Sequence, residues 1–177
     1  MSKLSLRKIK NQSDINIDFT CGLSYIDEYI KNAYYPNICG HEYLYCCYEN
    51  DEIVGYCSIS IREVEDKYIE RVSKDYYSDD TRYFATFYIR YIAVDINKQN
   101  NKIGTKFLKM IILYMKNYIK SFPVRFIILE ALKDKIDWYE KIGFQIIDKE
   151  EKNDNKKMYY DLFGEEEYKI INEYASI

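Results

Sequence analysis

The heptad Gln99-Asn-Asn-Lys-Ile-Gly-Thr105 follows the apolar run Tyr91-Ile-Ala-Val-Asp95 and precedes a long segment with helical spacing. A strand that passes through a short polar loop into a helix gathers the first-turn N–H groups and the positive end of the helix dipole at one place. That arrangement suits a phosphate or pyrophosphate. The spacing nominates Gln99, Asn100, Asn101, Lys102, Ile103, Gly104 and Thr105 as the ligand-holding residues. Two side chains leave alternatives open. Gln99 either meets the phosphate through its backbone, the favoured reading, or only shapes the loop. Lys102 is either an exposed helix-start lysine or a counter-charge for a phosphate. Loops of this look occur on several folds, so the surrounding elements must decide.

Metal and thiol chemistry find little support. Cys21, Cys39, Cys46, Cys47 and Cys57 are odd in number and clustered in the first third of the chain, which is not a disulfide framework. There is no C-x-x-C pair and His41 is the only imidazole, so no metal site is expected. Nothing fixes a cysteine nucleophile against His41. Buried, reduced thiols are expected, with Cys46 and Cys47 on opposite faces of a strand.

The elements that would position the loop can be read along the chain. Leu4 to Ile9 is a short strand. Ser24 reads as a helix N-cap with Asp27 three residues on, and Ile26, Tyr29, Ile30 and Ala33 form a stripe that Pro36 ends. Glu42 to Glu49 and Ile53 to Ile61 read as a hairpin around Asn50-Asp51-Glu52. Arg62 to Arg82 is dense in charge and reads as a long exposed loop or short helix. Phe84 to Asp95 is a strand in which Thr86 and Arg90 are the polar exceptions. Ile103, Phe107, Met110, Ile111, Leu113, Tyr114 and Met115 recur near helical period, with Lys106, Lys109 and Lys116 between them. Val124 to Glu130, bounded by Pro123, is a continuous apolar strand. Lys133 to Lys141 is a short helix carrying Ile136, Tyr139 and Ile142, closed by Gly143 as a left-handed cap. Phe144 to Lys149 and Lys157 to Phe163 read as a hairpin around Asn153-Asp154-Asn155. Past Gly164 an amphipathic piece carries Tyr168, Ile171 and Tyr174, which either covers sheet or forms a surface for a second copy or another protein.

A chain of 177 residues predicts a single domain over 1–177, and 47% hydrophobic residues are ordinary for one. The 21 tyrosines against one tryptophan indicate sequence bias, so no tyrosine is informative merely by being present. A net charge of −3 gives no global case for nucleic acid or an anionic membrane. No apolar run is long enough to span a bilayer and the start is unlike a signal peptide. A soluble, cytoplasmic protein with no membrane partner is expected.

Strand, helix, hairpin, long strand, loop, helix, strand, short helix, hairpin: this order resembles the GNAT superfamily of N-acetyltransferases. Three local matches carry the resemblance. Gln99 and Gly104 fit the loop pattern Q/R-x-x-G-x-G/A, with Lys102 in place of the first glycine. Trp138-Tyr-Glu-Lys-Ile-Gly-Phe144 is similar to the family's aromatic-Tyr-Glu-x-x-Gly-Phe segment. Phe19-Thr-Cys-Gly22, Ile26-Asp-Glu-Tyr-Ile30 and Val54-Gly-Tyr56 resemble the branch containing toxins that acetylate charged tRNA. Leu132 stands where many members carry an asparagine for the pantetheine arm.

The resemblance implies an α/β chain of the α+β type, with a central mixed, mostly antiparallel sheet flanked by helices. It implies acetyl-CoA as co-substrate, no metal, and transfer of the acetyl group to a primary amine by direct attack in a ternary complex. A carbonyl would be polarised at the carboxyl end of the long strand, by N–H groups of Ile92, Ala93 and Val94. Tyr139 is the candidate acid for the departing thiolate. Spacing alone also allows it as a core tyrosine, and the match around Trp138 favours the acid. Glu63, Glu65 and Glu130 flank strands near the cleft, and none is assigned as the base. A small or peptidic amine is ranked first as acceptor. Aminoacyl-tRNA comes second because Glu63, Glu65, Asp66, Glu70, Asp75, Asp79 and Asp80 are acidic, leaving Lys106, Lys109, Lys116, Lys120 and Arg125 as a candidate basic patch. A catalytically inactive member that binds acyl-CoA or a partner is the alternative outside enzymes.

Overall fold

A computed structural model of the chain describes residues 3–65, 83–147 and 154–165, with 167 and 169. Its strands are β1 (Leu4–Lys8), β2 (Tyr43–Glu49), β3 (Glu52–Glu65), β4 (Tyr83–Val94), β5 (Phe126–Ala131), β6 (Gln145–Ile146) and β7 (Lys156–Asp161). Its helices are α1 (Ser24–Asn32), α2 (Tyr34–Ile38), α3 (Ile103–Lys116) and α4 (Ile136–Glu140). The strands hydrogen-bond in the order β1-β2-β3-β4-β5-β7-β6. The β1/β2, β2/β3, β5/β7 and β6/β7 pairs are antiparallel. The α+β class and the mostly antiparallel sheet are those expected. The chain divides into two compact units, residues 1–60 with 89–114, and residues 61–88 with 115–177.

In the first unit the hairpin turn is tighter than the sequence suggested. Glu49 pairs directly with Glu52, and both loop residues are left-handed, Asn50 at φ 50 and Asp51 at φ 66. Two such residues match the right-handed twist of the flanking strands, the reason Asn and Asp are favoured there. The core gathers Phe19, Ile26, Ile30, Leu44, Cys46, Tyr56 and Ala93. Phe19 meets the Tyr56 ring edge-on at 4.8 Å. The Tyr56 hydroxyl is satisfied, accepting from the Asn16 amide at 2.7 Å and donating to the Asp14 carbonyl at 3.3 Å.

Two helix boundaries differ from the sequence reading. Ser24 is the first residue of α1 rather than its cap, and the cap residue Leu23 offers no side-chain bond. Asp27 supplies the capping instead, reaching back to the Cys21 amide and the Thr20 hydroxyl. Pro36 does not end the helix. The chain bends at Ala33 and starts α2, where Pro36 lies in the first turn and its missing N–H has no helical partner to lose.

In α3, Ile103, Phe107, Ile111 and Met115 are buried as expected, joined by Leu108 and Ile112. Leu113 is a correction, 63% exposed on the outer face. β3 runs on to Glu65, so the first residues of the charged stretch are strand. The remainder of that stretch, the turn residue Asn153, and Tyr168, Ile171 and Tyr174 lie outside the described residues.

The second unit centres on Phe126, Ile128 and Tyr159, with Phe84 and Tyr88 packed against them. Thr86, polar in an apolar strand, is buried because its hydroxyl donates to the Arg62 carbonyl at 2.7 Å. Arg125 is not part of a basic patch. Its guanidinium forks onto Asp161, with bonds of 3.0 and 2.8 Å, and both side chains are largely buried. The thiols are free, with Cys46, Cys47 and Cys57 buried, Cys21 half-buried and Cys39 exposed. No cluster of metal-ligating side chains occurs among the described residues. None of the described helices is long and apolar enough to cross a membrane.

Candidate active site

The loop after β4 is built by a short chain of local bonds. The Asp95 amide is held by the Val54 carbonyl at 3.0 Å, and the Asp95 carboxylate accepts from the Asn97 amide at 2.9 Å. A single 3-10 turn, Ile96–Lys98, follows. Gln99 then folds its side chain back. Its amide nitrogen donates to the Val94 carbonyl at 3.0 Å and to the Cys21 carbonyl at 2.9 Å. The Gln99 side-chain nitrogen is therefore committed to shaping the loop, which leaves the backbone amide as this residue's donor to an anion.

Asn100 and Lys102 are both left-handed, at φ 63 and φ 60. Asparagine tolerates that conformation; lysine does so at a cost of roughly 1–2 kcal/mol. Lys102 thus holds the backbone shape that a glycine would take freely, so its presence does not change the loop's path. A left-handed residue directly before helical ones turns successive amides toward one side, a concavity that receives anions. The first i→i−4 bond of α3 runs from the Lys106 amide to the Lys102 carbonyl at 3.1 Å. The amides preceding Lys106 therefore face the helix start. Asn100, Asn101 and Lys102 are exposed, whereas the Ile103 side chain is buried and anchors the turn. Gly104 and Thr105 are half-buried. This backbone fits a pyrophosphate group.

Just before the loop, β4 carries half-buried Ile92, buried Ala93 and half-buried Val94. Gly55 of β3 lies against this strand end. A Cβ there would stand 2.7 Å from the Ala93 carbonyl oxygen and 3.2 Å from the Phe107 ring. Glycine is what lets β3, β4 and α3 approach so closely.

A buried polar chain lies in the same unit and was not found from sequence. The Ser58 hydroxyl donates to Glu42 Oε2 at 2.8 Å, and the Tyr29 hydroxyl stands 2.7 Å from Ser58 Oγ. Arg90 donates to Glu42 Oε1 at 3.4 Å. The Arg90 guanidinium lies over the Tyr29 ring at 5.0 Å and the Tyr91 ring at 5.7 Å, with 43% of its side chain exposed. Tyr91 also meets Tyr25 and Tyr29 edge-on. Burial, reinforced by Glu42, pushes the Tyr29 phenol above its usual range. The available signal was Arg90 itself, a charge inside an apolar strand. Of the three carboxylates that the sequence places near the cleft, Glu63 and Glu130 are exposed and Glu65 is half-buried.

Tyr139 belongs to the second unit and is held firmly. The residue is 8% exposed, with ring contacts to Trp138 at 4.6 Å and Phe144 at 5.5 Å. Its carbonyl accepts the amides of Gly143 and Phe144, while the Gly143 amide also bonds the Glu140 carbonyl at 2.9 Å. With Gly143 at φ 114 this is a Schellman cap, complete with its apolar contact between Tyr139 and Phe144.

The family model of the acetyltransferase (GNAT) domain matches residues 40–146, more than half the chain. This chain belongs to the GNAT acetyltransferases. It is accordingly an acetyl-CoA-dependent acetyltransferase, and acetyl-CoA is its co-substrate. No curated protein matches it by sequence. Solved structures share its fold. A tyrosine-to-phenylalanine mutant of KacT superposes with a TM-score of 0.76 at 16% identity, covering 96% of this chain and 98% of that one. AtaT complexed with acetyl-methionyl-tRNAfMet gives 0.76 at 15% identity, covering 96% and 99%. A tyrosine-to-phenylalanine mutant of the AtaT toxin, bound to the C-terminus of the antitoxin AtaR and acetyl-CoA, gives 0.69 at 11% identity, covering 90% and 93%.

Proposed function

We propose that the chain acts as one acetyltransferase domain whose acceptor is the amino group of an aminoacyl-tRNA. The observation that carries this reading is the likeness, across 96% of this chain and 99% of AtaT, to a toxin complexed with an acetylated aminoacyl-tRNA. This proposal ranks aminoacyl-tRNA ahead of the small or peptidic amine that the charge put first. Overall acidity does not forbid a local patch, and Arg90 with Tyr25, Tyr29 and Tyr91 offers a cation beside ring faces of the kind that bases stack on. Lys106, Lys109 and Lys116 remain exposed along α3.

The co-substrate supplies the acetyl group as a thioester. In this proposal the amides of Gln99 to Thr105 hold its pyrophosphate, and Lys102 adds a counter-charge. Amides of Ile92, Ala93 and Val94 polarise the thioester carbonyl while the acceptor nitrogen attacks it. Tyr139 gives its phenolic proton to the departing sulfur, and the proton released by the ammonium formed on attack returns through solvent to restore the phenol. An antitoxin is the proposed partner, by analogy with the AtaR-bound toxin.

The experiment offers labelled acetyl-CoA to charged tRNA and to a panel of polyamines, amino acids and peptides. Salt-sensitive labelling of charged tRNA supports the proposal. Labelling confined to small amines or peptides returns the acceptor to that class.

A further inference from the structure

We propose that Asp27 is a positioning residue for acetyl-CoA: its carboxylate fixes the segment Thr20–Gly22, and that segment clamps the loop that receives the pyrophosphate. The proposal rests on the reading of the Gln99-to-Thr105 loop given above. One oxygen of Asp27 accepts the Cys21 amide at 2.8 Å and the other accepts the Thr20 hydroxyl at 2.7 Å. Thr20 Oγ1 in turn accepts the Gly22 amide at 3.1 Å, so three consecutive residues are tied to one side chain of α1.

Two of the three carbonyls of this segment bond to the loop. Thr20 accepts the Ile96 amide at 2.8 Å, and Cys21 accepts the Gln99 side chain at 2.9 Å. Gly22 completes the contact, because its φ of +87 suits glycine and a Cβ there would press on Ile96 Cδ1 at 3.2 Å. Gln99 is the joint, since the same amide nitrogen also bonds the Val94 carbonyl at the end of β4. Asn100 follows in the left-handed conformation that asparagine tolerates, and Lys102, two residues further on, in the same conformation under strain. Strained backbone persists only where its surroundings over-determine it, and the clamp is the over-determining contact on this side.

The consequence is energetic coupling between a residue on α1 and a ligand at the start of α3. Asp27→Ala and Gln99→Ala should each weaken acetyl-CoA binding by about three- to thirtyfold, and the double variant should lose little more than either alone, because both break one chain of contacts. Asp27→Asn, which keeps one acceptor for the Cys21 amide, should recover part of the affinity. Thr20→Val removes only a hydroxyl and serves if Asp27→Ala does not fold.

The test is calorimetry of acetyl-CoA on the full chain and these variants, with amide exchange at Ile96 followed in parallel. Weakened, non-additive binding together with faster Ile96 exchange supports the clamp. Wild-type affinity in Asp27→Ala or Thr20→Val despite faster Ile96 exchange overturns the coupling while leaving the loop reading intact. Absence of acetyl-CoA binding in the wild type overturns the loop reading and with it this one.

Discussion

The carbonyl oxygen of Ala93 occupies the space where a side chain at Gly55 would begin. A Cβ on Gly55 would stand 2.7 Å from that oxygen, with the Phe107 ring 3.2 Å away on α3. Neither neighbour can give easily, because one is backbone in a paired strand and the other is fully buried. Gly55→Ala should therefore destabilise the fold by about 1–3 kcal/mol, the range of overpacking. For a chain of this size that lowers Tm by roughly 2–4 °C per kcal/mol. Because the displaced atom belongs to the strand end proposed to polarise the thioester, turnover should fall further than stability alone accounts for. Thermal melts and turnover measured on the same preparation check this.

Lys102 separates two roles that the sequence left even. Lys102→Ala should weaken acetyl-CoA binding and flatten its salt dependence if the ammonium neutralises a phosphate. Lys102→Gly removes the same charge and relieves a left-handed strain of roughly 1–2 kcal/mol, offset by about 0.5–1 kcal/mol from glycine's added freedom when unfolded. It should melt at or slightly above the wild-type temperature yet bind acetyl-CoA more weakly. Tighter binding by the glycine variant would mean that Lys102 only crowds the loop.

Two aspartates make the acid limb of stability predictable. Bonds from the Lys10 and Asn11 amides hold the Asp14 carboxyl below its usual range. For Asp27 burial pulls upward, and the Cys21 amide and Thr20 hydroxyl outweigh it to give a net lowering. Both folded pKa values lie below those of the same groups in the unfolded chain, which therefore takes up protons first as pH falls. The stability they confer is present above the unfolded values and is lost as pH falls through the folded ones. Denaturant midpoints measured downward from pH 5 should fall, and Asp27→Asn should flatten that fall while lowering the midpoint at neutral pH.

Tyr139→Phe keeps the ring against Trp138 and Phe144 and removes only the hydroxyl. Turnover at saturating substrates should drop by roughly a hundredfold, the scale of one lost general acid, with acetyl-CoA affinity nearly unchanged. Unchanged turnover would make Tyr139 a core residue alone.

Much of this was legible in the sequence because local rules agreed with the fold. Gly143 after a short apolar stripe announced a left-handed cap, and the chain forms a Schellman motif there. Asn50-Asp51 announced a turn, and both residues are left-handed. Misreadings came where tertiary partners override local pattern. Leu113 fits the helical stripe by type, yet Leu108 and Ile112 hold the buried positions. Arg125 fits a basic patch by charge, yet its partner Asp161, distant in sequence, takes it out of one. Asp27 signalled a helix start correctly, and its partners lie before the helix, where no spacing rule looks. The Glu42, Ser58 and Tyr29 chain joins α1, β3 and the residue before β2, which are distant in sequence, so only Arg90 hinted at it.

Calorimetric titration of the wild-type chain with acetyl-CoA at two salt concentrations asks whether the Gln99-to-Thr105 turn holds the co-substrate's phosphates. Saturable one-to-one binding is expected, weakening as salt rises and lost in large part in Lys102→Ala. Binding that ignores both salt and the Lys102 substitution, or no binding at millimolar acetyl-CoA, would contradict it.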